Sequence, residues 1–536
     1  MIRVTELRLP LDHAPDALRP ALAARLALPE HAILDIHIAR RGYDARKRGQ
    51  IMLVYSIDCT VADETALLAR FATDSHVQPT PDTRYHLPSS PPSDAPRPVV
   101  IGAGPCGLMA ALILAQAGLR PIVLERGRIV RERTVDTFAL WRKSILTPES
   151  NVQFGEGGAG TFSDGKLYSG ISDPRHLGRK VLEEFVKAGA PEEILTLSKP
   201  HIGTFRLVSM VEHIRAEIER LGGEYRFGTR VIGLIGEGAP HRLRALQLAD
   251  GTELPATQAV LAIGHSARDS FAMLHDAGVT MTAKPFSIGV RIEHPQSVID
   301  AARFGPQAGH KLLGAADYRL VHHAANGRGV YSFCMCPGGT VVAATSEENQ
   351  VVTNGMSQYS RAERNANAGI VVDVSPERDY PAGPLAGIAF QRRWERAAFT
   401  AGGGDYKAPA QRVGDFLAGR PSTSLGAVVP SYKPGTTPTD LSRCLPDFAI
   451  DAIREALPHF ARKLPGFSMD DAVMTGVETR TSSPLRIARD ASGQSPDWRG
   501  LFPAGEGAGY AGGILSAAID GLKAAEWVVA ALREGV

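Results

Sequence analysis

The chain has 536 residues, a formal charge of +2, 44% apolar residues and 22% charged residues, the profile of an ordinary globular protein with room for two or three cores. The balanced charge gives no pull toward nucleic acid or acidic membranes, and no apolar run is long enough to span a bilayer. The opening Met1-Ile2-Arg3-Val4-Thr5-Glu6 lacks the form of a secretory signal, and five cysteines make a poor disulfide framework, so a cytoplasmic location is expected.

Residues 1–74 are expected to form a small α+β domain. A strand is expected over 4–9, and Asp16 is placed to cap a helix carrying Leu18, Leu22 and Leu26. Leu34, Ile36 and Ile38 alternate with polar residues, as do Leu53, Tyr55, Ile57, Cys59 and Val61, which predicts two strands followed by a helix over 63–71. Between the strands, Arg40-Arg41-Gly42-Tyr43-Asp44-Ala45-Arg46-Lys47-Arg48 reads as a basic loop, either a solvated hairpin tip or an anion contact. Residues 75–97, rich in Pro, Ser, Thr and Asp, have the composition of a linker.

An apolar strand, Pro98-Val99-Val100-Ile101, then leads into Gly102-Ala103-Gly104-Pro105-Cys106-Gly107. A helical run over 108–118 and a second strand ending at Glu125 follow. The glycines suit a tight turn, close approach to a pyrophosphate and close helix–strand packing, and the helix N-terminus offers free amides to phosphate. Glu125, about twenty residues on, is placed to accept from ribose hydroxyls. The run Gly155-Glu156-Gly157-Gly158-Ala159-Gly160 allows backbone to approach a flat ligand, with Thr161, Ser163, Asp164 and Lys166 in reach of it. A helix over 208–221, a strand over 224–231, an antiparallel arm over 243–248 and a buried strand over 259–264 extend a Rossmann-type sheet back to its nucleotide edge.

The back of the chain repeats the glycine theme in Gly505-Glu506-Gly507-Ala508-Gly509 and Gly507-Ala508-Gly509-Tyr510-Ala511-Gly512. Only one helical run, from Ile514 to about Arg533, follows it, so no second strand can carry a ribose acid and an independent nucleotide fold does not fit. His265, Arg268 and Asp269 lie past a strand end, where His265 could move a proton and Arg268 could anchor an acid or pair with Asp269. Cys334-x-Cys336 lacks further ligands for a metal and reads as two partly buried thiols, and Cys106 reads as packing. Lys284, Arg291, His294, Glu347, Asn354, Arg361, Asn365, Glu478, Arg480, Thr481 and Arg486 are pocket candidates, with Arg480 and Arg486 ranked first because they flank Thr481-Ser482-Ser483-Pro484.

These strings resemble the bacterial family of uncharacterised FAD-dependent dehydrogenases, flavoproteins of the glutathione-reductase type. The resemblance rests on residues 151–167, Ala262-Ile263-Gly264-His265-Ser266-Ala267-Arg268-Asp269, Phe333-Cys334-Met335-Cys336-Pro337-Gly338-Gly339, Thr353-Asn354-Gly355-Met356-Ser357 and residues 505–521. It implies an α/β fold with a discontinuous Rossmann-type FAD domain, 98–270 and 475–536. An inserted α+β substrate domain, 271–474, and the N-terminal domain and linker complete that scheme.

The resemblance implies FAD contacts from Gly102, Ala103, Gly104, Pro105, Cys106, Gly107, Glu125 and Arg126, and from Gly157, Gly158, Ala159, Gly160, Thr161 and Lys166. Val231 would touch adenine through its backbone, with Ala262, Gly264 and Gly505 nearby. Glu506 would reach the ribityl hydroxyls, where the family usually has Asp, and Gly512, Gly513 and Ile514 would begin a helix facing the flavin. The implied function is an FAD-dependent oxidoreductase moving hydride between flavin N5 and a small molecule, with an acidic one suited to the basic candidates. His265, Arg480 and Lys166 are the catalytic candidates; no metal is expected, and NAD(P)H enters only as a transient reductant. A flavin-dependent RNA-modifying protein gripping RNA through the basic loop, and a non-catalytic flavin sensor, are the competing readings.

Overall fold

The computed structural model describes every residue except Arg48 and Val536; Arg48, the last residue of the basic stretch, is outside the described residues. At its centre is a five-stranded parallel sheet ordered Leu501–Pro503, Ala259–Leu261, Val99–Ile101, Ile122–Leu124, Glu224–Arg226. The first four are wholly buried, as short apolar runs covered on both faces must be. From Val99–Ile101 the chain moves outward through Ile122–Leu124 to Glu224–Arg226, then returns to the opposite side at Ala259–Leu261. That reversal opens a crevice beyond the C-terminal ends of the two central strands.

Helix Pro105–Gln116 starts three residues before the expected position, because proline suits a first turn whose amides are unpaired anyway. Every residue from Cys106 to Ala115 is buried, consistent with a helix that is apolar all round. It is covered by helices Thr204–Arg220 and Ile514–Glu534. The strand expected over 224–231 is two strands. Glu224–Arg226 joins the parallel sheet, Gly228 turns at φ +62°, and Val231–Glu237 pairs antiparallel with His241–Leu248.

The N-terminal sheet is ordered Ile33–Asp44, Met52–Val61, Ile2–Pro10, Val77–Pro79. Its fourth strand comes from the stretch expected to be linker. Helix Leu18–Leu26 is preceded by Ala17 and has no side-chain cap, so Asp16 does not cap it; Asp63 does cap helix Glu64–Arg70 through the amide of Ala66. Residues Arg40 to Asp44 are strand, not loop. The Arg41 amide donates to Thr196 O at 2.7 Å and the Ser198 amide to Arg41 O at 2.8 Å, so the first part of the basic stretch docks on its neighbour, while Ala45, Arg46 and Lys47 lie in the hairpin connection to Met52–Val61, with Arg46 and Lys47 exposed.

The large mixed sheet is ordered Val321–His323, Gly329–Ala343, Asn365–Val374, Phe286–Pro295, Val473–Glu478, Ala408–Arg412, Thr436–Pro438, with Thr353–Ser357 paired to Gly329–Ala343. Strand Val473–Glu478 runs across position 474, so this sheet continues past the expected edge of the insert. Its apolar core is continuous with that of the N-terminal sheet, and the Tyr43 ring meets Phe304 edge-on at 5.7 Å. Among the described residues no helix is long and apolar enough to cross a membrane.

Candidate functional site

The crevice is one cavity of about 1380 Å³, larger than the roughly 300–1,000 Å³ of a typical small-molecule pocket. Glu125 and Arg126 line it beyond strand Ile122–Leu124, and Glu506 lines it beyond strand Leu501–Pro503. Three strand spacings, about 14 Å, separate those two positions. A long ligand is needed to reach both.

Glycine geometry shapes the floor. Gly102 has φ +103°, and a Cβ there would lie 2.4 Å from Ala262 O, so the reversal point of the sheet tolerates no side chain. A Cβ on Gly158, at φ +62°, would lie 2.7 Å from Gly104 Cα; the first turn and the 155–160 run are pressed backbone to backbone. Gly104, Pro105 and Cys106 then line the cavity at the N-terminus of helix Pro105–Gln116, where the amides carry a partial positive charge.

Glu125 is 5% exposed. One of its oxygens accepts from the Ala103 amide at 2.8 Å, the other from the amides of Gly127 and Gly155 at 2.9 Å. The expected ribose ligand thus also ties three loop segments together. Arg126 stacks on Phe154 at 4.1 Å and pairs with Glu149 and Asp269, which keep its charge despite burial. The residue that sequence reasoning missed is Arg133. Fully buried, it donates to the carbonyls of Asn151, Glu156, Val152 and Gly158 at 2.7–2.9 Å, and burial without a touching carboxylate pushes its guanidinium down to about 10. A lone arginine in a mixed-charge helix gives no sequence signal.

The two distant glycine turns meet. A Cβ on Gly505 would lie 2.8 Å from Cys106 Cβ, and one on Gly521 would lie 2.0 Å from Cys106 O. Cys106 is therefore a packing residue as well as a cavity neighbour, and burial raises its thiol well above the usual range. Asp520, also missed, accepts from the Gly505 amide at 2.7 Å and pairs with Arg489 at 2.8 Å. Gly512, Gly513 and Ile514 line the cavity at the start of helix Ile514–Glu534.

Five expected contacts do not line the cavity: Ala103, Gly107, Gly157, Thr161 and Gly505. Ala103 is spent on Glu125, and Gly107 backs onto Gly102, where a Cβ would meet its carbonyl at 1.8 Å. Gly157 faces Thr161, whose hydroxyl turns to Arg133, and Gly505 abuts Cys106. Pro105, Gly158, Ala159, Gly160, Lys166, Val231, Ala262 and Gly264 do line it.

The expected catalytic group splits. Arg480 is buried and gives its donors to Glu395 at 3.0 Å, Ser346 at 2.7 Å and Ser266 at 3.2 Å; its charge is answered within the protein, so it is not a free anion anchor. Arg268 pairs with Glu347 and Glu395 at 2.6 and 2.7 Å, and Asp269 pairs with Arg126 and Arg230, so Arg268 and Asp269 do not pair with each other. His265 lines the cavity and shares a 2.9 Å hydrogen bond with Ser266. Burial, Arg480 and Arg268 together lower it to about 3, which favours the neutral ring near neutral pH.

Lys166 also lines the cavity, and its closest carboxylate is Asp164 at 3.7 Å, itself clamped by Arg361. Burial opposes the Lys166 charge, but Cys336, Cys334 and Asp164 raise it overall. Of the other pocket candidates Asn354, Glu478 and Thr481 line the cavity; Lys284, Arg291, His294, Glu347, Arg361, Asn365 and Arg486 do not. His294, for example, is spent on Phe467 O at 2.6 Å.

Glu506 supplies the sharpest test of fit. Its carboxylate faces the cavity with no hydrogen-bond or ion-pair partner among the described residues, and burial pushes it up to about 7 against the pull of Lys284. A half-buried, unpaired acceptor lining a cavity calls for hydroxyl donors from a ligand. The glycine cradle, the two helix N-termini and this acceptor fit a dinucleotide carrying a polyol.

Comparison with known proteins agrees. Residues 97–147 match a family model described as FAD binding domain, residues 285–481 one described as FAD-dependent protein, C-terminal domain-like, and residues 1–60 a domain of unknown function. The molecule is a flavoprotein, and FAD is its cofactor. It is 46% identical over 529 residues to an uncharacterized protein of Clostridium beijerinckii, across 98% of both chains. The chain belongs to the same family as that protein, a family of FAD-dependent proteins. Similar solved structures include glycine oxidase from Geobacillus kaustophilus, at 12% identity, 82% and 94% coverage of this and that chain, and TM-score 0.35. Halogenase PltM in complex with phloroglucinol and FAD gives 11%, 82% and 70%, and 0.39.

Proposed function

We propose that the protein is a flavin-dependent oxidoreductase, its FAD domain of the glutathione-reductase type, acting on a small molecule that carries a carboxylate. The observation that carries this reading is the single cavity running from the two glycine turns into the polar wall of the large mixed sheet. When bound, FAD supplies two-electron chemistry, exchanging hydride at N5. The backbone N–H groups of Gly104 and Cys106 would hold the pyrophosphate, Pro105 having none to donate, and Glu125 would orient the adenosine ribose beside Val231. Glu506 accepts from the ribityl chain, and the start of helix Ile514–Glu534 sets a positive potential at the ring.

The substrate lies against the strand Gly329–Ala343, where Tyr331, Phe333 and Met335 line the cavity and exclude water. Lys166 lines the cavity with its nearest carboxylate, Asp164, at 3.7 Å and already clamped by Arg361, so it has donors left to hold the substrate carboxylate. Neutral His265 orients through its Ser266 hydrogen bond.

Anaerobic screening of the yellow protein against a metabolite panel tests the reading. A carboxylate-bearing compound is expected to bleach the flavin rapidly. Lys166→Met is expected to raise its KM ten-fold or more in FAD-loaded protein, the worth of about 1.4 kcal/mol. Bleaching only by neutral compounds, or an unmoved KM, contradicts the assignment.

A further inference from the structure

Strand Gly329–Ala343 slips register against Asn365–Val374 between Phe333 and Cys336, and again between Cys336 and Gly339. At the first slip Cys334 takes φ +42°, a left-handed conformation uncommon for a side-chain-bearing residue. In a regular strand two such cysteines sit on one face, about 6.6 Å apart along the chain. Here the bulge brings the two cysteines together, and Cys336 Sγ donates to Cys334 O at 3.3 Å. Cys334 is half-buried and lines the cavity, while Cys336 is buried behind it.

Two cations flank the pair. Arg291 donates to Cys334 O at 2.8 Å, and Lys166 acts on both sulfurs. Contact with Cys336, then the charges of Lys166 and Arg291, lower the front thiol against burial and Asp164, whereas its neighbour and burial raise the rear one. A thiolate in front and a protonated thiol behind is the arrangement in which one sulfur attacks and the other resolves.

We propose that Cys334 and Cys336 form a redox-active dithiol in the FAD cavity, with a small disulfide as its reaction partner. The location beside the ring rests on the function proposed above. In the first step the Cys334 thiolate attacks one sulfur of the disulfide RSSR; the S–S bond breaks, a Cys334–SR bond forms, and RS⁻ leaves to be protonated. Cys336 then loses its proton and attacks Cys334 Sγ, expelling the second RS⁻. Two protein thiols and one RSSR become one protein disulfide and two RSH, so the protein pair is oxidised and the small disulfide takes two electrons.

The experiment exposes the FAD-loaded protein to glutathione disulfide, denatures it in alkylating reagent and reads intact mass and a tryptic map. Residues 329–361 form one peptide carrying both cysteines. The expected result is loss of two of the five thiols and a disulfide inside that peptide. Cys336→Ser is expected to stop at a glutathione adduct on Cys334, and Cys334→Ser to leave Cys336 alkylatable. Full alkylation of both wild-type thiols, an unresolved adduct in wild type, or Cys336 reacting first overturns the proposal. FAD content is read on the same samples. Inert thiols in yellow protein overturn the dithiol alone, whereas disulfide closure in protein that refuses FAD overturns the cofactor-side reading alone.

Discussion

Glu506 shows how one side chain couples cofactor and pH. Unfolded, its carboxyl returns to the ordinary value of 4.5; folded and without cofactor it titrates at about 7. Between those values the folded chain holds the extra proton, so cofactor-stripped protein loses stability as pH rises through this window, by about 3 kcal/mol from this group. Glu506→Gln is expected to flatten that part of a Tm-against-pH curve; parallel curves for the two proteins contradict it. Glu125 accepts three backbone amides in the folded chain. Glu125→Gln places an NH₂ among three N–H donors and is expected to weaken FAD binding about 10–100-fold, since bonds to a charged acceptor are worth about 1.5–3 kcal/mol, measured by fluorescence titration. Glu125 was legible because its distance from the glycine turn is set by one helix and one strand. Arg133 and the Arg480–Glu395 pair were not, because their partners are met only after distant segments fold onto them.

The glycine run and the helix beneath it form the next level of order. Gly158→Ala sets a methyl against the Gly104 backbone, which has no flexible end to yield, and is expected to give folded but colourless protein; a normal flavin-to-protein absorbance ratio contradicts this. Arg133→Ala orphans four buried carbonyls, at about 1–3 kcal/mol for each left unsatisfied. It is expected to lower Tm and FAD occupancy together in thermal melts and absorbance spectra. The parallel strands were readable as buried apolar runs beside turn glycines. Strand Val77–Pro79 was not, since Val77, Gln78 and Pro79 become strand only because Ile2–Pro10 offers an edge. The same holds for Arg40 to Asp44, whose charges suggest a loop while their backbone pairs with Met52–Val61.

Across the whole molecule, the N-terminal sheet is joined to the large mixed sheet by a common apolar core. Tyr43→Ala removes a half-buried ring from Phe304 and a hydrogen bond to Asp317. It is expected to cost about 2 kcal/mol, below the roughly 3–5 of a fully buried aromatic. The FAD-binding α/β fold was visible in motif spacing. The docking of the first domain was not, because it depends on contacts between segments over a hundred residues apart.

The parallel sheet takes its edge strand, Leu501–Pro503, from a segment some 400 residues downstream of its central one. At about 5–20 residues per second, a ribosome needs roughly 20–80 s to bridge that gap. Throughout this interval the nascent chain displays the first phosphate loop without the Gly505 turn that abuts it. Flavin can therefore meet a complete cradle only after the last segment of the sheet has been made.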